Sequence, residues 1–198
     1  KNQMNCRSYK KKLNLTVKNL KDHEVIAKYR DFYWSKLGID PTKQRPANEA
    51  LVRRVIKGKG LYRINWFVDG YNWASIKSML PISAYDLESI ELPVVVRMAK
   101  KGEKLGLIGG KTITMEGNEV VIASQNNQIL TQFPFRDGES SKIKKSTNDV
   151  LVLVLGIKEV VSFNMKEAFE EVIRTLMESK QTKKDEIIVK STGLVRNF

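Results

Sequence analysis

Residues 68–86 read VDGYNWASIKSMLPISAYD, and they concentrate the side chains of this chain that are equipped for chemistry. Asp69, Asn72, Ser83 and Asp86 are small polar groups set among Val, Tyr, Trp, Ile and Met. A polar group sunk in apolar surroundings must find hydrogen-bond partners or it costs stability. Two readings follow. In one, these residues cap and turn the backbone, with Pro81, Ser83 and Asp86 shaping a helix-to-strand connection. In the other, they line a pocket for a small polar ligand.

A second constellation lies just upstream in RPANEALVRRVIKGKGLYR, residues 45–63. It places Arg45, Arg53, Arg54, Lys57, Lys59 and Arg63 close together, partly on one helix and partly on a glycine loop. Such a patch can follow a phosphate backbone while a nearby ring stacks on an unpaired base. It can equally be a solvated face. The whole chain carries a formal charge of +13, from 35 Lys and Arg against 22 Asp and Glu, so its summed field attracts polyanions whatever the fold.

The same composition excludes several chemistries. One cysteine, Cys6, permits no internal disulfide, and with one histidine, His23, it permits no Cys/His zinc site within one chain. No P-loop, Rossmann fingerprint or HExxH is present, and the glycines of KGEKLGLIGGK precede no helix, so they read as hairpin turns. No cofactor and no metal are expected. His23 reads as a solvated first-turn residue and not as a catalytic base. No apolar run approaches the roughly 18–20 residues that span a bilayer, and KNQMNCRSYKKK has no apolar signal core. The expectation is a cytoplasmic protein without a membrane partner.

The positioning elements follow from periodicity. LNLTV at 13–17 alternates as a short strand. From Asp22, the positions Val25, Ile26, Tyr29, Phe32, Tyr33 and Leu37 recur at helical spacing until Gly38. Pro46 opens a second helix to about Lys57, and a third runs from Asn65 to Met79, ended by Pro81. Then the period changes: residues 93–99, 104–108, 118–124, 128–133 and 148–156 are β-rich, with Gly109-Gly110 and Asn126-Asn127 as hairpin connections. Asn164 caps a last helix with Met165, Ala168, Phe169, Val172, Ile173 and Leu176 as its stripe, and EIIVK at 186–190 is a possible edge strand. Helices first and strands afterward predict an α+β domain.

Taken in order, NEALVRR at 48–54, INWFVDGYNWASIKSMLPISAYDLESI, VRMAKKGEKLGLI and a Gly-Glu-Ser followed by STNDVLVLVLG resemble the B3/B4 domain of the phenylalanyl-tRNA synthetase β subunit, and its free-standing relatives above all. The resemblance spans roughly residues 25–157. It implies a three-layer β/β/α domain with a β-sandwich of unusual topology, here extended by a C-terminal helix. In the synthetase it implies a site that hydrolyses mischarged Tyr-tRNA. The pocket of the family corresponds to Pro81, Ile82, Ser83, Ala84, Tyr85 and Asp86, its other wall to Asp137–Ser140 and Thr147, and Asn72 falls on a family asparagine. Ser83 stands where the bacterial synthetases carry a histidine, so a step resting on that imidazole is not carried over. Glu139 matches the glutamate that reads the tyrosine hydroxyl with a one-residue slip.

On this reading the chain divides into a basic segment 1–21, a B3/B4-like domain 22–180 and a charged tail 181–198. The expected function is aminoacyl-tRNA deacylation in trans, with tRNA or aminoacyl-tRNA as partner. Ser83 and Thr147 would orient water or the ester, Glu139 and Asp86 would read the amino group or side chain, and Arg53, Arg54 and Lys57 would hold the acceptor end. A non-catalytic RNA-binding module and a free amino-acid-binding protein are the alternatives.

Overall fold

The structure is a computed structural model that describes residues 6–133, 136–160 and 163–178. The possible strand at 186–190 and the tail from Gln181 lie outside them. Helices come first. The first is α1, Cys6–Leu13, and the expected strand at 13–17 is absent. Its apolar residues Leu13, Leu15 and Val17 pack individually against the helical core, while Thr16 and Asn19 close a turn on each other, the Thr16 N–H donating to Asn19 Oδ1 at 2.6 Å. Side chains of Thr and Asn compete here with the ladder that the alternation pattern anticipates.

The next three helices keep close to their sequence signals. Helix α2, Glu24–Leu37, ends at Gly38, whose φ of 63° lets its N–H reach back to the Tyr33 carbonyl. Helix α3, Ala47–Ile56, starts after Pro46. Helix α4, Trp66–Ser78, is capped by Asn65, whose side chain accepts from the Val68 N–H at 2.9 Å.

Eight strands follow: β1 (Ile82–Asp86), β2 (Val95–Met98), β3 (Lys104–Gly106), β4 (Thr112–Thr114), β5 (Val120–Ala123), β6 (Ile129–Gln132), β7 (Arg136–Asp137) and β8 (Val150–Val154). All pairings are antiparallel. β1 pairs with β8, β3 with β4, and the remaining four lie in the order β2-β5-β6-β7. The hairpins at Gly109-Gly110 and Asn126-Asn127 are both present, and Asn127 has the positive φ, 66°, that such a turn asks of one residue. Helix α5, Phe163–Glu178, closes the described chain, with Asn164 inside its first turn instead of capping it.

Side-chain alternation along the strands divides the interior into layers. From β1, Ile82 and Ala84 join Val154 of β8 in a core shared with Ile26, Tyr29, Val52, Val55 and Ile76 of the helices. From the opposite face of the same strand, Tyr85 joins Val120, Ile122 and Leu130 of the four-stranded sheet. On the far side of that sheet, Val121 and Ile129 pack with Leu105 and Met115 near the β3–β4 hairpin. Helices, the β1–β8 pair and the four-stranded sheet are therefore stacked in turn, an α+β arrangement of three layers. Helix α5 adds to the helical layer by burying Ala168 and Val172, and it approaches α4 so closely that a Cβ on Gly70 would stand 2.8 Å from Thr175 Cγ2.

Truncating the middle core tests this layering. Ile122, only 1% exposed, is predicted to cost about 2–5 kcal/mol as Ile122→Ala, whereas Ile108→Ala, at a position 57% exposed, should change stability by no more than about 0.5 kcal/mol. Urea unfolding of both variants measures the difference.

Candidate functional site

Because β1 is buried along its whole length, each polar side chain it carries needs a partner inside the protein. Ser83 finds one across the middle layer. Its hydroxyl donates to Asp137 Oδ1 at 3.2 Å, and the Thr131 hydroxyl makes a short bond to the same oxygen while lying 2.9 Å from the Arg136 carbonyl. The β6–β7 register, in which Thr131 faces Asp137, brings these two residues together. Asp137 keeps some solvent contact as a residue, yet burial is the largest influence on its carboxyl and lifts its pKa above the ordinary carboxylate value. The two hydroxyl bonds oppose that lift.

Tyr85 shares the Ser83 face of β1 and is fully buried. Burial pushes its phenol well above the usual range, and the Asp137 charge adds to the effect. No group is placed for a well-formed bond to the Tyr85 hydroxyl among the described residues, although Ser83 and Thr131 are its nearest hydroxyl neighbours in effect on its acidity. Tyr71 on α4 is raised in the same way, by burial first and by Asp137 second. The result is an enclosed acid surrounded by hydroxyls.

The other sequence-derived candidates are distributed differently. Asp86, three residues beyond Ser83, projects to the opposite face of the strand. It accepts from Thr147 Oγ1 at 3.0 Å and from the Glu88 N–H at 3.2 Å, so Thr147 and Asp86 are together but apart from Ser83. Glu139 lies at the surface in a close ion pair with Lys142, which holds its carboxyl below the usual value. Asn72 is half-buried on α4. Pro81 is buried, and its carbonyl accepts from the Leu155 N–H at 2.9 Å. Ala84 faces the helical core and Tyr85 the middle one. His23 is half-buried, with Nδ1 buried without a partner among the described residues, and burial lowers its pKa.

The basic constellation is also divided by the fold. Arg53, Arg54, Lys57 and Lys59 line a surface groove of about 250 Å³ with Ala50, Leu51 and Tyr62. The Arg54 guanidinium carbon sits 3.7 Å from the centre of the Tyr62 ring, a cation–π stack. Arg45 instead turns toward Glu49, with Nε 3.8 Å from its carboxylate, and Arg63 reaches Asp69 at 3.4 Å. Thr131 and Tyr62 carry no local signal of their roles, and Asp137 enters only as one end of the resembled wall. Among the described residues no helix is long and apolar enough to cross a membrane, and no three His, Cys, Asp or Glu are grouped to hold a metal ion.

The B3/4 domain family matches residues 28–185. The chain belongs to that family. Phenylalanine–tRNA ligase β subunits of Haemophilus ducreyi and Vibrio parahaemolyticus are 34% and 36% identical to it over 93 residues, 47% of this chain but only 12% of each ligase subunit. An N-terminal fragment of the phenylalanyl-tRNA synthetase β subunit from Pyrococcus horikoshii is similar over 49% of this chain and 33% of the fragment, with a TM-score of 0.39 and 19% identity.

The raised pKa of Asp137 has a signed consequence for this B3/4 domain. The folded protein holds that proton more tightly than the unfolded chain, so the stability it contributes is complete below the ordinary value of 3.8 and is lost as pH rises through the folded pKa. Asp137→Asn keeps an acceptor for Ser83 and Thr131 and removes the loss. Its Tm should equal or exceed that of the unsubstituted protein near pH ~7 and converge with it near pH ~4, as read by thermal unfolding across that range. A deficit of the variant at every pH would contradict the assignment.

Proposed function

We propose that this B3/4 domain binds aminoacyl-tRNA and hydrolyses the ester that joins amino acid to ribose, releasing both. The observation that carries this reading is the buried Asp137 carboxyl shared by the Ser83 and Thr131 hydroxyls. A carboxylate whose pKa is lifted toward the working pH is a better proton acceptor than an ordinary one. An aminoacyl ester is already activated, so a positioned water suffices as nucleophile. Water forms a bond to the ester carbonyl carbon as its proton passes to Asp137, the carbon–oxygen bond to the ribose breaks, and the proton is returned to the departing ribose oxygen. Ser83 orients the water or the ester.

Selectivity for the amino acid is assigned to the neighbouring polar groups. A buried group that bonds a side-chain hydroxyl rejects an analogue lacking it far more strongly than an apolar wall does. Thr147, held by Asp86 on the other face of β1, and Glu139, at the surface two residues beyond Asp137, are candidates for contact outside the buried cluster, with Asn72, Pro81, Ala84 and Tyr85 shaping the surroundings. Arg53, Arg54 and Lys57 hold the acceptor end of the tRNA.

A second reading, RNA binding without catalysis, is favoured by one feature: Thr147 and Glu139 both have protein partners, Asp86 and Lys142. Single-turnover deacylation of Tyr-tRNA, with Phe-, Ser- and Ala-tRNA alongside, separates the two. The deacylase predicts selective turnover that falls by about 100-fold or more in Asp137→Asn and drops in Ser83→Ala, with tRNA affinity unchanged. Salt-dependent binding with no turnover above background at high enzyme supports the second reading and overturns the first.

A further inference from the structure

Resting on the tRNA-directed reading above, we propose that Arg54 and Tyr62 form a pre-stacked clamp for one unpaired nucleotide at a single-stranded RNA end. Tyr62 stacks its base and Arg54, Arg53 and Lys57 take its phosphate. Three observations on α3 and the loop after it lead there.

Among the described residues the groove is cationic without compensation. Arg53, Arg54, Lys57 and Lys59 line it, and no carboxylate does, whereas Arg45 and Arg63 of the same sequence run are drawn to Glu49 and Asp69. An anion is the complementary occupant. At about 250 Å³ the groove is smaller than the roughly 300–1,000 Å³ of drug-sized ligand clefts, a size that suits a single nucleotide unit.

The groove is also pre-organised. The Arg54 guanidinium carbon lies 3.7 Å from the centre of the Tyr62 ring, and its Nε is buried with no acceptor among the described residues. A guanidinium held over a ring keeps N–H groups free for a phosphate, and it loses less freedom on binding than a mobile lysine. Arg54 covers one side of the Tyr62 ring while 55% of the residue stays exposed, which leaves ring surface for a base.

Finally, Tyr62 of the groove and two apolar residues just after it in sequence are left in water. Tyr62, Ile64 and Trp66, within five positions, are 55%, 61% and 41% exposed. Exposed rings close in sequence to a cationic groove are the composition that binds single strands by stacking, without reading sequence.

Fluorescence anisotropy of the full chain with a short labelled single-stranded oligoribonucleotide, a blunt RNA hairpin of equal length and anionic phospholipid vesicles tests the clamp. The single strand should bind more tightly than the hairpin. Tyr62→Ala should weaken it by about ten-fold without changing the salt slope, and Tyr62→Phe should restore it. Arg54→Lys, which keeps the charge and loses the planar guanidinium, should weaken binding at an unaltered slope, whereas Lys57→Ala should lower the slope by about one. Unchanged affinity in Tyr62→Ala and Arg54→Lys, equal binding of the hairpin, or preference for vesicles over RNA would each overturn the proposal. Deacylation by the same variants keeps the two readings apart. Intact hydrolysis and RNA affinity in the groove variants removes the clamp alone, and a working clamp without hydrolysis removes the deacylase alone.

Discussion

A strand buried on both faces has to satisfy most of its polar groups from within, and β1 is such a strand. Its backbone is met by β8 and by the Ser141 carbonyl, which accepts from the Asp86 N–H at 3.0 Å. Its apolar side chains serve two cores at once, Ile82 and Ala84 toward the helices and Tyr85 toward the four-stranded sheet. Ser83 is the polar residue on the Tyr85 side, and its need for an acceptor brings in Asp137, which in turn depends on the register of β6 against β7. Layering and candidate chemistry share one constraint.

Two enclosed acids differ in what answers their burial, which is why we propose Asp137 as the site and read Glu49 as scaffold. Glu49, 2% exposed, is held by Arg30 at 3.1 Å and approached by Arg45 at 3.8 Å, a buried charge answered by cations on neighbouring elements. At Asp137 the groups that oppose burial are hydroxyls. Hydroxyls satisfy the oxygen without neutralising it, so the folded protein holds the proton more tightly than the unfolded chain, at a cost to stability when it leaves. Perturbed acids of this kind cluster where chemistry is done, and proteins tolerate the strain there.

Much of the fold was legible because its helices are punctuated. Gly38, Pro46, Asn65 and Pro81 each mark an end for a reason that acts locally, and the hairpin residues of the later strands do the same. β1 escaped because burial on both faces erases the alternation that marks a strand, and β7 because two residues carry no period. LNLTV carried the alternation without the pairing. At the site, Ser83 and Tyr85 could be singled out by their neighbours in sequence, but their meeting with Thr131 and Asp137 is set by strand register. Among the six basic residues, which four share a groove is decided by where Glu49 and Asp69 lie, a matter of tertiary placement that composition does not encode.

The most direct test of the central claim, that the polar face of β1 is where an aminoacyl group is handled, is an NMR titration of the protein with a non-hydrolysable 3′-aminoacylamido-adenosine. The account predicts saturable shifts centred on the amides of Ser83, Tyr85, Thr131 and Asp137. Shifts confined to the Arg53–Tyr62 groove, with β1 and β7 silent, would contradict it and leave the buried acid as a structural feature of the fold.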